Sequence, residues 1–448
     1  MAYRMSVKVL KDFILRSTQA QILMVIEDIH PADLLDAVRD YPKNKLDILN
    51  KLPEWAIASI IDEAEDDEKY ELLALFESSN KQKDIVEEMS SDELADMLGT
   101  LDTSEANDIL AKMDKEDAED VRELLSYAPD TAGGLMASEF LSVKDTMTVK
   151  DTLDYLRTSA EDAETSYFIY ILDEGNRLKG VVSLRDLLIA SSDIYVSEIM
   201  NANINTIKDD MDQEEVAHIF RKYSYHIMPV INSAEEMVGI ITIDDVIRVI
   251  ESESTEDIHH LAGLQEDEKV TDTLKESVGS RLPWLFIKLL TALLACAAVA
   301  RFQGTIEKLV LLAAFIPVVS GIGDNVGNQT LTIIVRGIGS GDLNFQNYKK
   351  VLLKEIGVGI CSGVIMGSII AICGFLWTRN VLFGVVVLVS MIVNLIIAAC
   401  SGFIVPMILK RLRKDPALAS TIFVNAITEV FGFIFYLGFA TLLIPYLE

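Results

Sequence analysis

Residues Leu311–Ile338 read LLAAFIPVVSGIGDNVGNQTLTIIVRGI. The stretch lies among apolar segments long enough to cross a bilayer, yet its middle holds Pro317, Gly321, Gly323, Asp324, Asn325, Gly327, Asn328 and Gln329. Lipid cannot hydrogen-bond a loosened backbone, so such a run is tolerated only inside protein or against a wet cavity. An intramembrane carboxylate is costly and by default marks an ion path. The expectation is a broken helix lining a translocation site.

Charge divides the chain. Residues 281–448 hold 7 acids and 13 bases, a net of +6, which leaves 62 acids and 26 bases, a net of −36, in residues 1–280. An acidic, water-facing half is joined to an apolar, slightly basic one. So negative a half repels phosphate backbones, which argues against nucleic acid as a partner. It favours cations, as a mobile cloud or at fixed sites, although acidic blocks also serve solubility alone. Cys296, Cys361, Cys373 and Cys400 all fall in the apolar half and read as small buried apolar residues. The acidic half therefore has no disulfide framework and no thiolate zinc site. The first residues, MAYRMSVKVLKDFILRSTQ, show no long apolar core or cleavage site, so the acidic half is expected in the cytoplasm.

Residues 1–130 read as helical. Part of them repeats every 12 residues: MSSDELADMLGT from Met89, LDTSEANDILAK from Leu101, MDKEDAEDVREL from Met113. Each unit opens with an apolar residue, then places Ser or Asp as a cap and acids in the first helical turn. Short stacked helices in a superhelical array fit this pattern, with a plain acidic helical domain as the alternative. TAGGLM (residues 131–136) reads as a linker.

Two similar α/β units follow, one around Tyr167–Ala190 and one around Tyr225–Ile250. Gly180, Ser183 and Asp186 recur as Gly239, Thr242 and Asp245, 59 residues on. This resembles a tandem pair of CBS domains, a family that often binds adenine nucleotides such as ATP. The resemblance implies Ser183, Arg185, Asp186, Thr242 and Asp245 as nucleotide contacts, with Asp on a ribose and Ser or Thr on a phosphate. Many such pairs hold nothing. Residues 251–281 are polar and helix-prone, and lead straight into the first apolar run. They read as a lever between the halves, or as an inert spacer.

Five apolar runs follow, at about 283–301, 304–336, 351–376, 381–409 and 419–446, each long enough to cross ~30 Å of hydrocarbon. Basic residues gather at Arg281, at Arg336, Lys349 and Lys350, and at Lys410, Arg411, Arg413 and Lys414. The opposite side holds only Arg301, Lys308 and Arg379. Positive loops face the cytoplasm, so the amino terminus is expected inside a cell (inner) membrane and the carboxyl terminus outside.

Ionisable groups within the runs are few. Lys288 reads as snorkelling to an interface, and Glu355 as structural beside Lys354. Asp324 and Glu429 stand out. Asn425, Thr428, Glu429 and Gly432 share one helix face. Carboxylates, amide oxygens and freed carbonyls are hard ligands, suited to Mg²⁺, Ca²⁺ or Mn²⁺. Mg²⁺ keeps waters and takes one or two carboxylates, which one Glu429 per chain would supply across a two-fold axis. Two charges falling through ~100 mV gain roughly 4–5 kcal/mol, enough to drive entry. No GxxxxGK[ST] loop is present, so a P-loop pump is excluded. His30, His218, His226, His259 and His260 show no paired ligand pattern and are not taken as metal ligands.

The whole chain then resembles the MgtE family of magnesium channels and transporters. The resemblance rests on IPVVSGIGDNVGNQTLTIIVRG, on KDPALASTIFVNAITEVFG (Lys414–Gly432), on TAGGLM and on ESTEDIHHLAG. It implies a homodimeric, multidomain membrane protein in lipid, and no enzyme. Its parts would be a helical superhelix (1–130), tandem CBS domains (131–250), a connecting or plug helix (251–281) and a five-helix transmembrane domain (282–448). The implied pore residues are Glu429, Asp324, Asn325, Asn328, Gly321 and Asn425. The implied Mg²⁺ sensor is Asp244, Asp245, Glu253, Glu256, Asp257 and Asp415. The family's pore carboxylate is commonly Asp, here Glu429, and the residue before Asn325 is commonly Gly, here Asp324. Ser224 and Arg248 stand where acids are expected in the sensor. The expected function is Mg²⁺ entry gated by cytosolic Mg²⁺. A channel for Mn²⁺, Co²⁺ or Ca²⁺, or a membrane-anchored nucleotide sensor that transports nothing, are the alternatives.

Overall fold

The computed structural model describes residues 6–43, 45–159, 165–265, 268–343, 347–418 and 420–446. The chain forms two compact units, Met1–Val249 and Ile250–Glu448.

The first unit opens with short helices that pack two apart along the chain. Pro31–Arg39 lies on Val7–Arg16 and on Glu54–Asp62, and Glu54–Asp62 lies on Ser79–Val86. The 12-residue repeat appears as helices Ser91–Gly99, Thr103–Leu110 and Lys115–Leu124, whose starts are 12 residues apart. Ser90, Asp102 and Asp114 occupy their N-cap positions with extended backbone. None makes the side-chain capping bond that the pattern suggested. Burial of Leu94, Met97, Ile109, Leu110, Val121 and Leu124 in one continuous core holds these helices instead. Within this array Lys69 is 1% exposed. Its Nζ lies 2.5 Å from Asp66 Oδ1 and 2.5 Å from Glu93 Oε2.

Two sheets of identical topology follow. Strands β1 (Phe140–Lys144), β2 (Thr165–Leu172) and β3 (Leu178–Ser183) form one; β4 (Ile207–Lys208), β5 (Ile227–Ile231) and β6 (Met237–Thr242) form the other. In each, the first pair is parallel and the second antiparallel. Gly180 pairs with Ile171 and Gly239 with Val230, so the 59-residue repeat holds in strand register. TAGGLM is tied down rather than a free linker. Ala132–Leu135 is helical, and Ala137 exchanges both backbone hydrogen bonds with Ile240. Met136 covers Gly239, where an added Cβ would come within 2.7 Å of the Met136 sulfur. That close approach requires glycine.

No breaker interrupts the chain between Thr242 and Gly263, so the helix carrying the expected connector starts earlier and runs Ile243–Ala262. Gly263, at φ +75°, ends it. The second unit then holds helices Leu274–Ala300, Gln303–Lys308, Leu311–Gly339, Tyr348–Thr378, Val381–Arg411 and Ser420–Leu443. Among the described residues four helices are long and apolar enough to cross a membrane: Leu274–Ala300, Tyr348–Thr378, Val381–Arg411 and Thr421–Tyr446. The second expected run, 304–336, became the short helix Gln303–Lys308 and the 29-residue helix Leu311–Gly339, whose centre is too polar for that class.

Leu311–Gly339 is also continuous, which corrects the expected break. Its glycines serve contact with neighbouring helices. A Cβ on Gly327 would meet Val424 Cγ1 at 2.8 Å, and one on Gly402 would meet the Gly327 carbonyl oxygen at 2.5 Å. Small residues let membrane helices approach closely, where packing rather than water exclusion drives association. The cysteines depart from expectation too: Cys296, Cys361 and Cys373 are exposed. An outward face in lipid is as apolar as an interior, so small apolar residues need no protein cover there.

Two outcomes follow. Gly402→Val forces a methyl-bearing Cβ onto a neighbouring backbone. It should cost at least about 1–3 kcal/mol, read as a lower Tm in detergent. In the helical array, burial and then the like charge of Asp66 push the Asp96 carboxyl up to about 7. Its protonated form belongs to the fold, so this contribution is full below the unfolded carboxylate range and is lost as pH rises through about 7. Asp96→Asn should flatten that loss, measured as protease resistance of residues 6–130 between pH 5 and pH 8.

Candidate ion pathway and regulatory clusters

The apolar helix Val381–Arg411 carries one amide at its middle, Asn394, which is 1% exposed. Its Nδ2 donates to the Val319 carbonyl at 2.8 Å. The same side chain abuts Gly323 and Gly432, so three helices meet around it. Thr428 is fully buried beside this point, donating to Val424 O at 2.9 Å and lying 3.4 Å from Ser401 Oγ. Two carboxylates lie near this seam in sequence, Asp324 directly after Gly323 and Glu429 directly after Thr428.

Asp324 accepts from Ser320 Oγ at 3.3 Å through Oδ2, and its buried Oδ1 has no partner among the described residues. Its charge interacts with those of Glu429 and Lys288. Glu429 Oε1 lies 3.5 Å from Lys288 Nζ, on helix Leu274–Ala300. Lys288 was expected to snorkel to an interface; it points instead at the candidate pore carboxylate. Asn328, Asn394 and Asn425 each hold a buried Oδ1 with no hydrogen-bond partner among the described residues. Unpartnered buried oxygens are rare and call for an explanation such as an ion or a water. Gly321 and Asn325 behave otherwise. Both are exposed, and the Gly321 carbonyl accepts the Asn325 amide at 2.8 Å. The continuous helix thus frees no carbonyl there. Glu355 is structural, as expected: it is 2% exposed, accepts from Thr330 Oγ1 at 3.2 Å and pairs with Lys354 at 2.5 Å.

The expected sensor acids fall into two groups. In the second unit Glu256 and Asp415 converge with His260, their ligand atoms all within 4.8 Å of one another. His260 Nδ1 lies 2.8 Å from Asp415 Oδ2 and 3.6 Å from Glu256 Oε1. Burial and then the nearby Asp415 raise the Asp257 carboxyl above its usual range. Thr421 Oγ1 donates to Leu261 O at 2.7 Å, so the end of helix Ile243–Ala262 is fastened to the start of the last helix. Glu253 sits one turn before Glu256 and outside this cluster. His260 was not expected as a metal ligand, since no Cys or matched His pair accompanies it in sequence; its partners here are the carboxylates of Glu256 and Asp415, 4 and 155 residues away.

In the first unit Asp245 accepts from Thr242 Oγ1 at 2.5 Å and from Arg248 at 2.6 Å. The same Arg248 guanidinium pairs with Glu93 Oε1 at 2.5 Å. An arginine thus bridges the helical array and the second CBS-like repeat, and Lys69 holds the other oxygen of Glu93. Burial raises the Asp245 carboxyl while Thr242 and Arg248 oppose the shift.

Between the two repeats lies a cavity of about 920 Å³, lined by Thr165, Tyr167, Ser183, Arg185, His226, Thr242 and Asp244. Three expected nucleotide contacts, Ser183, Arg185 and Thr242, are among these residues. Asp186 and Asp245 are not. Their carboxylates turn to Ser183 Oγ at 2.6 Å and to Thr242 Oγ1 at 2.5 Å instead. Asp244, expected in the sensor, lines the cavity.

The chain is similar to known proteins along most of its length. Residues 5–130 match the MgtE intracellular N domain, residues 132–193 and 196–252 the CBS domain, and residues 316–439 a divalent cation transporter family named MgtE. The magnesium transporter MgtE of Thermus thermophilus is 39% identical over 330 residues, covering 72% of each chain. That of Bacillus subtilis is 32% identical over 421 residues, 93% of this chain and 92% of its own. The solved soluble part of a magnesium transporter aligns at TM-score 0.52 and 29% identity, covering 56% of this chain and 98% of that one. The chain belongs to the MgtE family of magnesium transporters.

Proposed function

We propose that the chain conducts Mg²⁺ into the cytoplasm down its electrochemical gradient, as a homodimer in the cell membrane, with cytosolic Mg²⁺ closing the path. One observation carries the pathway: two carboxylates and three unpartnered amide oxygens, at Asp324, Glu429, Asn328, Asn394 and Asn425, within membrane-length helices. Hard oxygens around a partly hydrated ion suit Mg²⁺. The amino terminus lies inside and the carboxyl terminus outside, on the loop charges.

Gating uses the fastening of helix Ile243–Ala262 to the last helix. Glu256, Asp257 and Asp415 are acids crowded at that junction. A divalent ion there would neutralise them and favour the fastened state. An ion biases two states only by binding one of them more tightly, and converging carboxylates provide that difference. Glu253, Asp244 and Asp245 are the remaining sensor residues in this reading. An adenine nucleotide such as ATP occupies the cavity between the repeats, with Arg185 facing phosphate and Ser183 and Thr242 as hydroxyl contacts. Asp186 and Asp245, already hydrogen-bonded within their own repeats, are poor ribose partners here.

Glu429→Gln in proteoliposomes should abolish Mg²⁺ uptake under an inside-negative potential; wild-type uptake would refute the pathway. Mg²⁺ should also protect the 243–281 segment from trypsin, with Asp415→Asn raising the protecting concentration about tenfold. Equal cleavage with and without Mg²⁺ would refute the gating scheme.

A further inference from the structure

We propose that Lys288 is a specificity-determining residue of the ion pathway, a tethered cation that holds Glu429 between passing ions and keeps monovalent cations out. The inference rests on the pathway proposed above and concerns which ions gain entry to it.

Lys288 is the one charged residue between Arg281 and Arg301, in a stretch of helix otherwise built of Leu, Ile, Phe, Ala and other uncharged residues. It lies seven residues past Arg281, about 10 Å along the helix axis. A lysine serving only to anchor that end would turn back towards Arg281 and water. Its ammonium lies instead 3.5 Å from Glu429 Oε1, and Glu429 is only 17% exposed. Asp324 feels the same ammonium and the same carboxylate. The three form one electrostatic group of net charge −1.

That sum decides which ions gain by entering. With Lys288 in place, one carboxylate charge is already balanced. A sodium or potassium ion must compete with the tethered ammonium at equal charge and without its proximity. A divalent ion is attracted twice as strongly by each carboxylate at the same distance. It can displace the ammonium from Glu429 and bind the two acids together with the amide oxygens of Asn328 and Asn425. After the ion leaves, the ammonium returns, and the paired acids never face each other uncompensated in a low-dielectric seam. The tether also weakens divalent binding, which favours release and throughput over retention.

The test uses the full chain in proteoliposomes, with Mg²⁺ uptake measured against Mg²⁺ concentration, alone and against ~100 mM Na⁺ or K⁺, roughly a tissue-like ionic strength. Lys288→Met should lower the half-saturating Mg²⁺ concentration about tenfold, the equivalent of ~1.4 kcal/mol, and make uptake sensitive to Na⁺ and K⁺. Lys288→Gln should do the same, and serves if the methionine variant is not monodisperse. Lys288→Arg, which keeps the charge, should restore Na⁺ resistance. If Glu429→Gln abolishes uptake while both neutral variants keep wild-type half-saturation and Na⁺ resistance, the role of Lys288 is overturned and the pathway stands. If Glu429→Gln transports like wild type, the pathway falls and the role of Lys288 with it.

Discussion

Asn394 is wedged between glycines of two neighbouring helices and fixes the depth and rotation of everything polar around it. Its Nδ2 holds the Val319 carbonyl, and its body occupies the space that side chains at Gly323 and Gly432 would take. A buried amide in an apolar helix is costly unless bonded, so the bond to Val319 is enforced by the surroundings. Asp324 and Glu429 lie on two of the three helices joined there, Leu311–Gly339 and Ser420–Leu443. The glycines that read as a broken helix are better understood as the flat surface this wedge requires.

Crowded acids recur along the chain, and basic side chains of the chain itself meet several of them. Lys69 and Arg248 hold Glu93 in the first unit, and Lys288 holds Glu429 in the second. Converging carboxylates repel strongly away from water, so each needs an ion or a basic side chain. Where Arg248 does this work, a side chain of the chain itself, rather than a bound metal, joins the helical array to the second repeat. The Glu256–Asp415 junction differs: its nearest basic group is His260, whose charge is conditional. That contrast makes the junction at the last helix the better place for a reversible ionic switch.

The helix Ile243–Ala262 is the element on which the proposed gating rests. It begins directly after strand β6 and ends at the Thr421–Leu261 hydrogen bond. It has no interior glycine or proline, the usual sites of a sharp kink, which suits the expected lever better than an inert spacer.

The sequence by itself determined the repeats, the split in charge, the apolar helices and the two intramembrane acids. These follow from local rules: 12-residue helical units, a 59-residue strand register, runs longer than a bilayer, and the cost of a carboxylate in lipid. It identified Glu256 and Asp415 singly, and Ser183, Arg185 and Thr242 by their motif. Only the tertiary structure decided that the polar centre of Leu311–Gly339 stays helical, with Asn394, Val424 and Thr428 standing where side chains at Gly323 and Gly327 would be. It alone joined His260 to Asp415 across 155 residues, Lys288 to Glu429, and Arg248 to Glu93. Those partners are distant in sequence, and no periodicity reports which faces of separate helices will meet. Charge interactions depend on distance in space, and that distance exists only once the chain has packed.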